Sequence, residues 1–115
     1  MWGYPIDNAA VYWGARAIYN WNSYYIDLLP DRQSYEGAEQ TSAEGAAFCR
    51  WVNTKALPWL RKTVKRAKPS PNSEEVFELV EGDYVLRASC RSSYGYIYIG
   101  AARLAATPQE ATHGT

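Results

Sequence analysis

The chain has 115 residues, twelve acidic and twelve basic, so its formal net charge is zero. That length fits one domain (residues 1–115) able to bury about two-thirds of its unfolded surface without staples, and the neutral balance excludes a global pull toward nucleic acid or membrane. Two cysteines exclude a secreted disulfide framework, and no stretch approaches a membrane span. The start, MWGYPIDNAA, lacks the charged head and apolar run of a signal peptide, so a cytoplasmic location is expected.

Residues 1–10 read as an irregular arm. Trp2, Tyr4 and Ile6 give it side chains to dock with, while Gly3 and Pro5 oppose regular structure. Residues 11–19 and 24–29 read as a hairpin around Asn20-Trp21-Asn22-Ser23. A four-residue loop pairs Tyr19 with Tyr24, Ala17 with Ile26, and Arg16 with Asp27 as a cross-strand ion pair. One face then holds Ala15, Ala17, Tyr19, Tyr24, Ile26 and Leu28. Residues 30–33 end the hairpin, and 34–40, polar with a glycine, read as a surface loop.

Thr41-Ser42-Ala43-Glu44 fits a capping box with Thr41 as cap and Glu44 at its third helical position. Ala47, Phe48, Trp51 and Val52 form one apolar stripe. Lys55 then breaks the phase, and Leu57, Leu60, Val64 and Ala67 start a second stripe. Pro58 cannot donate to the Thr54 carbonyl, so two helical pieces or one kinked helix are expected, changing between Thr54 and Pro58. A linker with two prolines follows at 68–73.

Residues 74–104 carry a three-stranded antiparallel meander. Gly82-Asp83 suits a type II′ turn, which wants glycine first. It sets Leu79 opposite Leu86, Phe77 opposite Ala88 and Glu78 opposite Arg87, with Phe77, Leu79, Leu86, Ala88 and Cys90 on one face. In 94–101 the alternation sends Tyr94, Tyr96 and Tyr98 one way and Ile97 and Ile99 the other. A Ser92-Ser93 turn would place Arg91 beside Tyr94, Arg87 beside Tyr98 and Ala88 beside Ile97. Residues 105–115 read as a flexible tail. The order is ββ-α-βββ, an α+β fold: one antiparallel sheet of about five strands with one kinked or broken helical segment on its apolar face. The pattern leaves open whether the first hairpin joins that sheet.

Catalysis finds few recruits. His113, the one histidine, lies in the tail, so no Ser-His-Asp or Cys-His set can be built on rigid elements. Cys49 and Cys90, far apart and without a core histidine, give no ordinary zinc site and are expected to be unbridged. No cofactor is expected. Asp27, Asp31, Glu36 and Glu39 offer carboxylates to a small-molecule or glycosidase-like site, but no spacing singles out a pair.

Two features suit RNA or single-stranded DNA. Arg61, Lys62, Lys65, Arg66 and Lys68 form a basic run able to neutralise phosphates; the same run suits a solvated helix face with cations at the C-terminal dipole. Tyr94-Gly95-Tyr96-Ile97 partly resembles the RNP1 strand of the RRM family, which implies aromatics that stack bases. Ser92 and Ser93 stand where that motif has a basic residue and a glycine, Ile99 where it has an aromatic, and a single helical region departs from the βαββαβ order. The third class, and the one preferred, is a non-enzymatic interaction module, in the manner of an accessory protein. The face bearing Tyr94, Tyr96, Tyr98, Arg87 and Arg91 holds the residue types enriched at interface hot spots. If the helix covers the other face, this one is left for the Trp2/Tyr4 arm, a second copy or another protein, with self-association expected first.

Overall fold

The computed structural model describes residues 6, 9–20, 22–37, 42–70, 74–90 and 95–104, the side chains of 30 and 31 excepted. In order these form β1 (Ala9–Asn20), β2 (Tyr25–Gly37), α1 (Ala43–Trp51), a π-helical turn (Val52–Ala56), α2 (Leu57–Ala67), β3 (Val76–Glu81), β4 (Tyr84–Ser89) and β5 (Tyr96–Leu104). The strands make one antiparallel sheet in the order β2-β1-β5-β4-β3, so the first hairpin does join the meander, through β1 and β5. The helical segment packs against one face of that sheet. Of the expected arm, Ala9 and Ala10 belong to β1 and Ile6 is described, while the rest of it, Thr41 and the tail lie outside the described residues.

Period-two alternation decides which side chains are core. Ala15, Ala17 and Tyr19 of β1, Ile26 of β2, Leu86 and Ala88 of β4, and Ile97, Ile99 and Ala101 of β5 are buried beneath Phe48, Trp51, Val52, Leu57, Leu60 and Val64. Phe48 is fully buried between the rings of Tyr35 and Tyr84, with centroids 6.4 and 5.9 Å away. Such a ring contributes about 3–5 kcal/mol by the cost of truncating it to alanine.

The β3–β4 hairpin has the expected register: Leu79 faces Leu86, Phe77 faces Ala88 and Glu78 faces Arg87. Gly82 takes φ 62° and Asp83 does not go positive, as a type II′ turn requires. Two other registers differ from expectation by two residues. In the first hairpin Tyr19 pairs with Ile26, Ala17 with Leu28 and Ile18 with Asp27, so Arg16 is not the cross-strand partner of Asp27. Between β4 and β5, Ala88 pairs with Ile99, Ser89 with Tyr98 and Arg87 with Gly100, not with Tyr98. The connections cause both shifts: in the first hairpin the four-residue loop moves on by one residue, with Asn20 joining the ladder and Tyr24 leaving it at φ 54°, and between β4 and β5 a longer connection takes in Gly95 at φ 75°. A two-residue shift keeps every side chain on its face, so the core composition survives.

β2 runs on to Gly37 where a surface loop was expected. Between Leu28 and Gln33 the register jumps while β1 advances only from Ala17 to Ala15. Pro30 sits in that irregularity, on an edge strand. Those are the two places where a sheet tolerates a residue without an N–H.

The helix starts one residue later than expected. Ser42, not Thr41, is the cap, and its Oγ accepts the Gly45 N–H at 2.9 Å. Glu44 is therefore free of capping duty and pairs with Arg103 at 3.1 Å. The phase change ahead of Pro58 takes the form of a π turn that joins the two helices: the Leu57 N–H reaches back to the Val52 carbonyl. One extra residue rotates the second apolar stripe onto the line of the first. The Asn53 amide and the Thr54 hydroxyl donate to the carbonyls of Cys49 and Arg50 at 2.8 and 2.7 Å, satisfying acceptors beside the disturbance.

Candidate functional site

The sheet face turned away from the helix carries the candidate site. Tyr96 and Tyr98 project from β5 on that side, half-buried, while their neighbours Ile97 and Ile99 are fully buried on the other. Arg87 of β4 lies on the same side, ion-paired with Glu78 of β3 through its Nε. Both side chains are more than a third exposed, so this pair fixes geometry more than it adds stability. Tyr94 and Arg91 lie outside the described residues.

Arg16 of β1 belongs to the site and was not foreseen. Pairing of β1 with β5 sets it opposite Tyr98 and brings its guanidinium carbon 4.5 Å from the Tyr96 ring centroid. That is a cation–π geometry, which also holds the ring in a fixed orientation. Its signal in the sequence is the alternation that puts Arg16 out of phase with Ala15 and Ala17; which strand it would meet was not encoded locally.

Around these groups the face is unusually apolar. Ile18 is 42% exposed, Val76 49% and Val80 57%. All three alternate with core residues and so point away from the helix. At one end Ile6, from the N-terminal arm, packs with Tyr12, Val85, Ala102 and Leu104 and covers that corner. A shallow hollow of about 180 Å³ opens beside it, lined by Ile6, Glu78, Val80, Val85, Arg87 and Leu104. Burial, with Glu36 across the strand pair, pushes the Tyr12 hydroxyl up to about 12.

The basic run occupies the opposite layer. Leu57, Leu60 and Val64 turn inward, leaving Lys62, Lys65, Arg66 and Lys68 exposed and Arg61 half-buried. The run and the Tyr96/Tyr98 face therefore lie on opposite sides of the sheet and do not form one surface. Gly95 is a bend with positive φ and not part of a strand, so among the described residues of the RNP1-like stretch Tyr96 and Ile97 lie in β5 and Gly95 does not.

The carboxylates do not converge. Asp27 pairs with Ile18 and Glu36 with Tyr12, six residues apart along β1. That separation is about 20 Å, more than twice what a glycosidase pair spans. The side chains of Asp31 and Glu39 lie outside the described residues. Among the described residues no group of three or more His, Cys, Asp or Glu side chains could hold a metal. No helix among them is long and apolar enough to cross a membrane. Cys49 and Cys90 form no disulfide.

A second hollow, about 440 Å³, lies between the helix and β1–β2, lined by Trp13, Gln33, Ala46, Cys49, Val52 and Asn53. Tyr35 neighbours Cys49, and burial followed by the thiol raises its hydroxyl pKa. Nothing in this lining supplies an acid–base pair. Comparison with models of known protein families and with the curated proteins finds no match.

Proposed function

We propose that this chain is a small non-enzymatic interaction protein of the cytoplasm, and that its sheet face turned away from the helix docks a second copy of itself. One observation carries the reading. Ile18, Val76 and Val80, three of the most exposed large apolar side chains among the described residues, share a face with Tyr96 and Tyr98, and the helix lies on the other side. One helical segment cannot cover both faces of a sheet.

A second copy suits this surface better than an unlike partner because its charges are balanced. Arg16 and Arg87 stand with Glu78 and Asp27, and the chain as a whole is neutral. A two-fold axis through the face sets each patch against its own complement, arginine to carboxylate and apolar to apolar. Size also fits. Five strands about 4.8 Å apart give a face about 24 Å wide, enough to supply the roughly 800 Å² per partner of a standard interface. Tyr96 and Tyr98 bring bulk at little entropic cost, and Arg16 stacked on Tyr96 is already ordered before contact.

The test is a dilution series by sedimentation equilibrium beside thermal melts, for the wild type and for Tyr96→Ala with Tyr98→Ala. Truncating a hot-spot tyrosine weakens association by about 2 kcal/mol, or about thirtyfold in the dimer constant. The melting temperature, extrapolated to the monomer, should fall by only a few degrees. A wild type that stays monomeric at every concentration, with a double variant that melts far lower, rejects the reading and makes the tyrosines core residues.

A further inference from the structure

The neutral total conceals a one-sided distribution. Between Gly45 and Ser73 there is no Asp or Glu, yet that stretch holds Arg50, Lys55, Arg61, Lys62, Lys65, Arg66 and Lys68. On α2 the cations stand at i and i+4: Arg61 with Lys65, and Lys62 with Arg66. Like charges at that spacing destabilise a helix, and no acidic residue within it offsets them. The negative end of the helix dipole relieves Lys65 and Arg66 in part. Lys62, Lys65 and Arg66 are exposed and point away from the buried Leu57, Leu60 and Val64. The outward stripe is therefore a cation row held without a carboxylate on its own element.

Beside this row lie two tyrosines. Tyr25, at the start of the edge strand β2, is 46% exposed, and the Arg61 guanidinium carbon is 5.9 Å from its ring centroid. Tyr24 lies in the hairpin loop with the Lys68 ammonium 5.2 Å from its ring centroid. Both members of that second contact adopt left-handed backbone, φ 54° at Tyr24 and 49° at Lys68. For a bulky residue such a φ is uncommon and costs about 1–2 kcal/mol. Two such residues, brought together from separate elements, hold an aromatic ring and a cation at the end of the basic row.

We propose that the outward face of α2 and the adjoining Tyr24–Tyr25 corner bind single-stranded nucleic acid, with phosphates on Lys62, Lys65 and Arg66 and bases stacked on the tyrosines. Cations that track a backbone beside an exposed ring, here Tyr25, with the half-buried Tyr24 packed against Tyr19 next to it, are what sequence-independent single-strand binding needs. A membrane surface does not fit: the apolar side of α2 is buried against the sheet, so no greasy face remains to enter a bilayer. A duplex would use the cations but not the rings, because its bases are already stacked. The cations lie on the layer opposite the self-association face, while Tyr25, paired with Asn20 in phase with Ile18 and Asp27, stands at the sheet edge where the two layers meet.

The test is fluorescence anisotropy with a labelled oligo-dT strand, a duplex of the same length and labelled polyglutamate. The single strand should bind most tightly, with an affinity that falls with salt at a log–log slope of about −2 for three phosphates. Lys62→Gln with Arg66→Gln should flatten that slope to about −0.7, the value for one phosphate. Tyr25→Ala should weaken the single strand about tenfold, while Tyr25→Phe should leave it unchanged. Absence of binding at low salt overturns the proposal. So does equal binding of polyglutamate, which would mark an acidic protein segment as the ligand. So does equal binding of duplex with no effect of Tyr25→Ala. The substituted residues are exposed, and unchanged thermal melts would show that each variant is folded.

Discussion

Gly37 and Gly82 both hold positive φ, 111° and 62°, yet they do different things. A side chain at Gly82 would meet nothing within 4 Å, whereas at Gly37 it would run into the Ala10 carbonyl oxygen and lie 2.7 Å from Val11 Cα. Gly82→Ala should therefore cost only the backbone term, about 1–2 kcal/mol. Gly37→Ala should cost about twice that or more, because β1 must move as well. Chemical denaturation midpoints decide this, and equal losses would mean that β2 does not pass so close to β1. Tyr12 and Tyr19 make a second residue-scale prediction. Burial first, then nearby Glu36 for Tyr12 and Cys90, Tyr24 and Glu75 for Tyr19, raise their hydroxyls from 10.0 to about 12. A raised pKa means that the folded state holds the proton more tightly. The stability it brings is complete below pH about 10 and is lost as the pH rises toward 12. Denaturation midpoints should fall steeply across that window, and Tyr12→Phe or Tyr19→Phe should flatten the fall. A decline centred near neutral pH would contradict the assignment.

The joined helix carries the sharpest test at the scale of elements. Its π turn is set by the offset between two apolar stripes, with Pro58 placed where its missing N–H is tolerated. Pro58→Ala alone leaves that offset in place, so it should keep the turn and change stability by less than about 1 kcal/mol. Deleting the exposed Lys55 rotates everything after it by about 100° and brings the stripes into line in a regular α-helix. Pro58 would then lie inside that helix, at a cost of about 3 kcal/mol. Deletion combined with Pro58→Ala should recover most of the loss. Circular dichroism and denaturation of the three variants check this; a deletion that unfolds the chain even with alanine at 58 would show that the π turn itself is needed. The phase change at Lys55 and Pro58 was legible because it depends only on residues close in sequence. The strand registers were legible up to a shift of two. Alternation fixes which face a side chain takes, and a two-residue slip leaves it there. What selects between such registers is where each connection begins and ends, and Tyr24 and Gly95 give no local sign that they leave the ladder. The end of β2 was hidden for a related reason. Pro30 and the polar Gln33–Ser34 read as a loop, and only pairing with β1 makes them an edge strand.

For the whole molecule, the two-sidedness of the sheet was readable and its consequences were not. Tyr96 and Tyr98 could be placed on the outer face from alternation alone. Arg16, Ile18 and Asp27 reach the same face through the pairing of β1 with β5, a contact between distant parts of the chain that no local pattern encodes. The opposite layers of the basic run and the tyrosine face likewise emerge only once the helix is seated on the core. The fold thus offers two surfaces: a balanced, partly apolar sheet face proposed for a second copy, and a cationic helix face proposed for a polyanion. Ile18→Lys and Val80→Lys, both on exposed positions of the sheet face, should abolish self-association and leave nucleic-acid binding intact, as read by sedimentation and anisotropy on the same samples. Loss of both activities together would mean that the two surfaces are not separate.

The most direct measurement asks which face closes when copies meet. In a chain carrying Cys49→Ser and Cys90→Ala, a single cysteine is placed at Ile18 on the sheet face or, as a control, at Lys62 on the helix face, both exposed positions. The rate of alkylation is followed as protein concentration rises. Docking through the sheet face predicts that the rate at position 18 falls with concentration in step with the rise in mass, while the rate at 62 stays flat. A flat rate at 18, or a fall at 62 instead, would contradict it.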